Sequence, residues 1–442
     1  MNPGLVVKLR PSGPWRIGPD SGARNRVDLI YHSDSLYSAV TAAMARLGWL
    51  EEWLDATARP GASAVAFSSC FPFLGDTVFV VPPRTVWPPA SLSAQAARVR
   101  WKSARFVPLE VVQAVLAGER PDEDRWSVDG ASDCLTPAGS PGPFRMAVRW
   151  NAAVDRLTGA SERHTIACLE FRAGAGLWTA VGFEDAAAET RWSGPVKAAF
   201  RLLADTGFGG ERSRGWGRSE PPEFIAGTLP DLILPAPAAP PAPPAPPEEI
   251  PAPAPASEPA AAAEPAALEP AAPAEEPAPP PAEAEPAPPA VEPEAAPAAA
   301  AHAPPVIEPY AAAATHPPPA IEPGAQAAAA TQQPPVIEPE APAAVPVATT
   351  HPHWLLSLFT PAPADTVDWR RGNYTVLTRG GRVDSPAGSG ELKKQIPMVA
   401  EGSVLYAEAA PRGSAANVAP EGFAHPVFRS GFALAIPLPE AK

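Results

Sequence analysis

Gly207-Phe-Gly-Gly-Glu-Arg-Ser-Arg-Gly-Trp-Gly-Arg218 sets five glycines and three arginines within twelve residues, directly after a helical pattern. Ser193 and Gly194 precede Pro195, which suits a first helical position. Val196, Ala199, Phe200 and Leu203 then recur at i, i+3, i+4 and i+7, the spacing of one apolar helix face. Asp205-Thr-Gly207 reads as the end of that helix, with glycine past the cap. Glycines accept positive φ and allow close backbone approach. Their exposed amides can form an anion-binding concavity, with Arg212, Arg214 and Arg218 adding charge around it. No Gly-Lys-Ser/Thr follows, so this is not a P-loop, and glycines after a helix do not make a dinucleotide loop. Composition alone fits a glycine-rich hairpin with solvated arginines equally well.

The net charge of −14 over 442 residues is unevenly placed. Residues 235–352 hold 15 Glu and no Asp, Lys or Arg, so the rest of the chain stands at +1. Nucleic-acid binding would therefore need a local basic patch. Lys8, Lys102 and Lys197 are the only lysines before residue 235, and arginine suits bidentate phosphate contacts. Cys70, Cys134 and Cys168 lie far apart without metal-ligand spacing, so reduced thiols and no structural zinc are expected. No cofactor is implied. Without a signal-peptide core or an eighteen-residue apolar run, a cytoplasmic chain that does not enter a membrane is expected.

Leu5–Arg10 reads as a first strand, followed by a loop carrying Arg16, Arg24 and Arg26. Ser33 suits an N-cap, with Asp34 in the first turn of a helix whose stripe is Leu36, Val40, Ala43, Met44 and Leu47, stopped by Gly48. A second helix over 49–58 and strands over 65–73 and 77–81 follow. Arg98–Arg105 alternates basic with apolar or small residues as a strand would, and 109–117 forms a short helix. Residues 118–143 read as a mobile loop. His164–Phe171 and Leu177–Phe183 predict a hairpin through Arg172–Gly176. In 235–352 the chain places 37 of its 65 prolines, and the composition predicts disorder with extended stretches. The imperfect repeats Pro304–Pro309, Pro318–Pro323 and Pro334–Pro339 read as slipped low complexity. Order resumes with a strand at His353–Phe359, and Gly380-Gly381 predicts a hairpin turn between 374–379 and 382–384.

Six segments together carry a family resemblance. Gly209, five residues, then Gly215-Trp-Gly217 resembles the glycine-rich signature of the RAMP superfamily of CRISPR RNA-binding proteins. His32-Ser-Asp-Ser-Leu-Tyr-Ser-Ala39 is similar to the "His-Ser-Asp-Thr-Leu-Phe-Ser-Ala" helix opening of the Csm-type subunit four, with Ser35 and Tyr37 as mild departures. Phe71-Pro-Phe73, Asp155-Arg-Leu-Thr-Gly159, Glu401-Gly-Ser-Val404 and the closing His425–Gly431 segment extend the likeness. The proline-rich insert lies outside it. The resemblance implies an α+β architecture of two ferredoxin-like (RRM-like) RAMP domains. These would be residues 1–234, with a thumb-like insertion and the glycine loop, and 353–442, separated by the insert at 235–352.

It also implies a non-catalytic subunit of a type III-A CRISPR effector. Such a subunit holds the 5′ tag of the guide crRNA and docks the large polymerase/nuclease subunit and the adjacent backbone RAMP subunit, meeting target RNA only indirectly. The residues it assigns to RNA are His32, Ser33, Lys102, Arg105, Arg149 and Arg156, with Gly209, Gly210, Arg212, Ser213, Arg214, Gly215 and Gly217 of the loop. Two alternatives stay open. Guide-processing RAMP endoribonucleases share the loop and often use a histidine, which would make His32 a general acid/base, whereas Asp34 matches a capping role. The equivalent type III-B subunit shares the two-domain plan.

Overall fold

A computed structural model describes residues 2–19, 21–59, 63–89, 100–235, 349–385 and 388–439, all of which belong to one compact unit. The disorder and repeats expected within 236–348 lie outside these residues, as does Arg98.

The N-terminal part runs β1 (Asn2–Leu9), α1 (Ser33–Leu47), α2 (Leu50–Thr57), β2 (Val65–Phe67), β3 (Phe71–Leu74), β4 (Thr77–Val80), β5 (Val107–Pro108) and α3 (Leu109–Leu116). It continues through β6 (Trp126–Asp129), β7 (Cys134–Pro137), β8 (Phe144–Val154), β9 (Ser161–Phe171), β10 (Ala175–Phe183), α4 (Ala186–Thr206) and β11 (Glu223–Leu229). Its main sheet has the order β11-β1-β10-β3-β4-β5, every pair antiparallel, with β2 also on β10. Val6 sits opposite Ala180 on one side and Ile225 on the other, which fixes the register of the three strands. β10 is buried along nearly its whole length, as expected of a central strand covered on both faces.

Helices α1 and α4 pack on each other. α1 ends where the sequence indicated, with Gly48 in the left-handed region at φ 81°. α4 begins earlier than read: Asp185 is its N-cap, its carboxylate accepting from Ala188 N at 2.7 Å, and Pro195 lies inside the helix. The turns before Pro195 are held by Trp192, which buries edge-on against Trp53 with ring centroids 5.4 Å apart. That packing outweighs the hydrogen bond a mid-helix proline forfeits.

The C-terminal part runs β12 (His351–Leu355), β13 (Val367–Asn373), β14 (Val376–Arg379), β15 (Arg382–Ser385), β16 (Gly388–Leu392), β17 (Ile396–Val399), β18 (Val404–Ala407), β19 (Gly413–Asn417), β20 (Phe428–Phe432) and β21 (Ala435–Pro437). Four strands form a sheet in the order β13-β18-β12-β21, and the rest pair as β14–β17, β15–β16 and β19–β20. Among the described residues this part holds no helix; α1 packs against its β20 instead. It shares one core with the N-terminal part through Trp354, Leu356, Val404, Leu434 and Ile436. The Trp354 indole donates to the Val81 carbonyl at 3.1 Å.

Four sequence expectations are corrected. β9 pairs with β8 rather than β10, because both edges of β10 are already taken by β1 and by β2 and β3. The loop expected over 118–143 contains the hairpin β6–β7, anchored by buried Cys134 and Leu135. Gly380-Gly381 joins two strands that pair elsewhere, with β17 and β16. Trp101–Ser103 is a single 3₁₀ turn that buries Trp101, not a strand.

Candidate nucleic-acid interface

The glycine loop closes on itself. Phe208 N donates to Gly217 O, Gly217 N to Pro14 O, Gly210 N to Arg16 O and Gly215 N to Arg212 O, all at 2.9–3.0 Å. Gly209 and Gly217 have φ of 70° and 79°, and a Cβ on either would run into backbone, of Arg16 and Phe208 respectively. The glycines therefore serve close main-chain packing, and these amides do not form the anion concavity expected from composition.

What the loop offers outward is charge. Arg212, Ser213, Arg214 and Arg218 are exposed, while Phe208 stacks on Trp15 at 5.2 Å and Trp216 is buried against Ile166 and Cys168 of β9. Arg16 fastens three segments here. Its guanidinium donates to the carbonyls of Ala23 (2.9 Å), Arg24 (3.0 Å) and Ala167 (2.9 Å), and its own carbonyl accepts from the glycine loop. Arg24 and Arg26 stay exposed beside it. Five exposed arginines (24, 26, 212, 214 and 218) thus lie on two loops that pack against β9, one through the Arg24 carbonyl and Ala167 N, the other through Trp216. Arg214 pairs with Glu211 at 2.9 Å and Arg212 approaches Asp384 of β15 at 3.7 Å.

The ribbon is eleven residue pairs long, roughly 35 Å at strand rise, and pairs with no other strand. Alternation gives it two faces. Met146, Val148, Trp150 and Val154 lie on one, with Trp150 75% exposed, and Leu157 stands at the tip. Arg145 and Arg149 lie on the other, both bound to Glu170, at 3.0 and 2.6 Å. Arg156 is exposed in the tip turn. Asp155 does not pair with it: its carboxylate accepts from Leu157 N and the Thr158 hydroxyl to shape that turn.

Residues 32–34 are placed differently from expectation. His32 is 3% exposed; one ring nitrogen faces Glu401 at 2.7 Å and the other Asp28 at 3.2 Å. Burial works against its charge, but Glu401 and Asp28 prevail and raise its pKa to about 9, so it is an imidazolium at neutral pH. Glu401 also accepts from the Ser69 hydroxyl. Ser33 does not cap the helix; its hydroxyl accepts from Leu358 N at 3.0 Å. Asp34, expected as a capping residue, is buried between Arg379 (3.1 Å) and Arg429. Burial again opposes the charge, yet the two guanidiniums pull the carboxyl down to about 2. This helix N-terminus is filled by the protein's own charges, and it ties the N- and C-terminal parts together. His32 and Ser33 are buried, with these polar groups engaged inside the protein.

Arg105 is half-buried beside Asp28 at 3.4 Å, and Lys102 is exposed on the 3₁₀ turn. Among the described residues, neither hydrogen-bonds to the glycine loop. The structure thus gathers Gly209–Gly217 and the ribbon strand β9 into one place and carries Arg156 out to the ribbon's tip. Arg24 and Arg26 were missed as site residues. Their signal was present in a glycine-flanked arginine loop, but the contacts by which Arg16 joins that loop to Gly210 are not visible in sequence. No group of three or more His, Cys, Asp or Glu that could hold a metal occurs among the described residues.

Residues 349–438 match the family model described as the CRISPR Csm4 C-terminal domain. A search of curated proteins finds no match. Among solved structures, the chain is similar to one described as the Csm1-Csm4 cassette in complex with cA4, at 14% identity and TM-score 0.45, covering 100% of this chain and 99% of that one. It is also similar to the Csm3-Csm4 subcomplex of the type III-A CRISPR-Cas interference complex, at 10% identity and TM-score 0.49, covering 98% and 99%. A type III-B Cmr-beta structure bound to cognate target RNA is similar over 51% of this chain and 61% of that one, at 7% identity and TM-score 0.30. The resemblance to subunit four read from the sequence is borne out over residues 349–438, which match that family model.

Proposed function

We propose that this chain is the Csm4-type subunit of a type III-A CRISPR effector and that it binds the 5′ tag of the guide crRNA without catalysing a reaction. The observation that carries the reading is the arginine-rimmed glycine loop, locked by Arg16 against strand β9 of an exposed ribbon. Arg24, Arg26, Arg212, Arg214 and Arg218 supply fork-shaped donors for a phosphate backbone, and Arg149 and Arg156 extend that surface onto the ribbon. The family match at residues 349–438 supports the type III-A assignment over the III-B one. Docking to the large polymerase/nuclease subunit and to a backbone RAMP subunit belongs to this reading, in keeping with the Csm1 and Csm3 partners of the similar structures.

The strand order β11-β1-β10-β3, with α1 after β1 and α4 after β10, follows a βαββαβ plan and supports a ferredoxin-like N-terminal domain. The binding role is preferred to an endoribonuclease role because both nitrogens of His32 are engaged in buried pairs, leaving no face for a substrate. No helix among the described residues is long and apolar enough to cross a membrane. The test is co-expression with the genomic neighbours, purification through this chain, and sequencing of bound RNA. Short RNAs sharing a 5′ end, together with a large partner, are expected; a preparation without RNA or partners would overturn the assignment.

A further inference from the structure

Two of the three arginines of the glycine loop already hold a carboxylate. Glu211 sits at φ 60°, a left-handed backbone for a non-glycine residue, and this turn of the chain accompanies a 2.9 Å pair between its side chain and Arg214. Asp384, 84% exposed on β15, reaches to 3.7 Å from Arg212 although it comes from the other end of the sequence. Its hairpin is held in place from behind: Arg429 donates to the Gly380 carbonyl and to Asp34, and Lys393 N donates to Gly381 O at 2.9 Å. Arg218, by contrast, forms no ion pair among the described residues.

We infer that Glu211 and Asp384 are specificity-determining residues of the RNA site, occupying in the free chain the positions that two phosphates take in the bound one. The inference rests on the RNA-binding reading above. Carboxylate and phosphate oxygens both accept charge-assisted hydrogen bonds from a guanidinium, so each can replace the other. A ligand with several phosphates along one strand displaces both carboxylates and recovers both contacts. An isolated anion displaces one and gains little. The carboxylates also relieve the mutual repulsion of Arg212, Arg214 and Arg218 when no RNA is present. Specificity here comes from an element that opposes weak ligands, not only from one that attracts the right one.

The test measures binding of a fluorescein-labelled oligouridylate to the full chain by anisotropy at fixed salt. Glu211→Gln and Asp384→Asn are each expected to tighten binding by about two- to fivefold, the range of an exposed ion pair. Asp76→Asn, on the exposed β3–β4 turn, controls for the change in net charge and should leave affinity unaltered. In an Arg212→Ala background, Asp384→Asn should lose its effect. If Arg212→Ala and Arg214→Ala weaken binding while the two carboxylate variants do no more than Asp76→Asn, the inference fails and the RNA site stands. If the arginine variants change nothing, the RNA reading fails and the inference falls with it.

Discussion

Asp34→Ala separates a structural from an RNA-binding role for the His32–Ser33–Asp34 segment. Asp34 is 4% exposed and is shared by Arg379 and Arg429, themselves 7% exposed. Truncating it removes the carboxylate that two interior guanidiniums share, and breaking a buried pair in this way costs about 3–5 kcal/mol. Against a total stability on the order of 5–15 kcal/mol, that is a large fraction. For a unit of this size the melting temperature should fall by roughly 4–8 °C. Asp34→Asn, which keeps the shape and two acceptor lone pairs, should lose less. Thermal unfolding followed by tryptophan fluorescence reads this directly, because Trp354 lies fully buried where the two parts of the chain meet. A drop below about 2 °C for Asp34→Ala, combined with loss of RNA affinity in the folded protein, would refute the structural assignment.

Three further outcomes follow from the same geometry. The folded-state pKa of His32 stands above its unfolded value, so its contribution is complete below about pH 6.5 and is lost as pH rises through about 9. Urea midpoints should decline across that window, and His32→Gln should flatten the decline. Gly217→Ala places a Cβ against the Phe208 backbone at a left-handed φ, whereas Gly215→Ala, at the same φ, opens into free space. Calorimetry should show the second near the 1–2 kcal/mol cost of the conformation alone and the first well beyond it. Trp150→Ser, on the exposed apolar face of the ribbon, should leave the stability of the free chain within about 0.5 kcal/mol, checked by the same melts.

Local signals in the sequence were read well where the determinant was local. Leu36, Val40, Ala43 and Met44 of the α1 stripe, its Gly48 stop and the glycine loop after α4 stand where periodicity and turn chemistry placed them, whereas Leu47 is exposed and the strand expected over 65–73 is split into β2 and β3. Reading failed where the partner is remote. His32 meets Glu401 369 positions away, and Asp34 meets Arg379 and Arg429 at separations of 345 and 395. A histidine and an aspartate at a helix start look identical in sequence whether they face solvent or two buried arginines. The hairpin expected between 164–171 and 177–183 failed for a related reason: turn residues show where the chain reverses, not which edges of β10 are free. Pro195 misled in the opposite sense, since a proline that usually opens a helix is tolerated inside one when Trp192 anchors the turns before it. At the candidate RNA surface the arginines were legible but the role of the glycines was not, because the amides of Gly210, Gly215 and Gly217 are spent on the carbonyls of Arg16, Arg212 and Pro14.

The central claim is that the glycine-loop arginines contact an RNA backbone, and the salt dependence of binding tests it most directly. Measuring log Kd for oligouridylate against log salt concentration, for the full chain and for the Arg212→Ala, Arg214→Ala double variant, reads the number of phosphates engaged. Two lost phosphate contacts on a single strand should weaken binding and reduce the slope by roughly 1.4. Equal slopes and equal affinities in the two proteins would contradict the account.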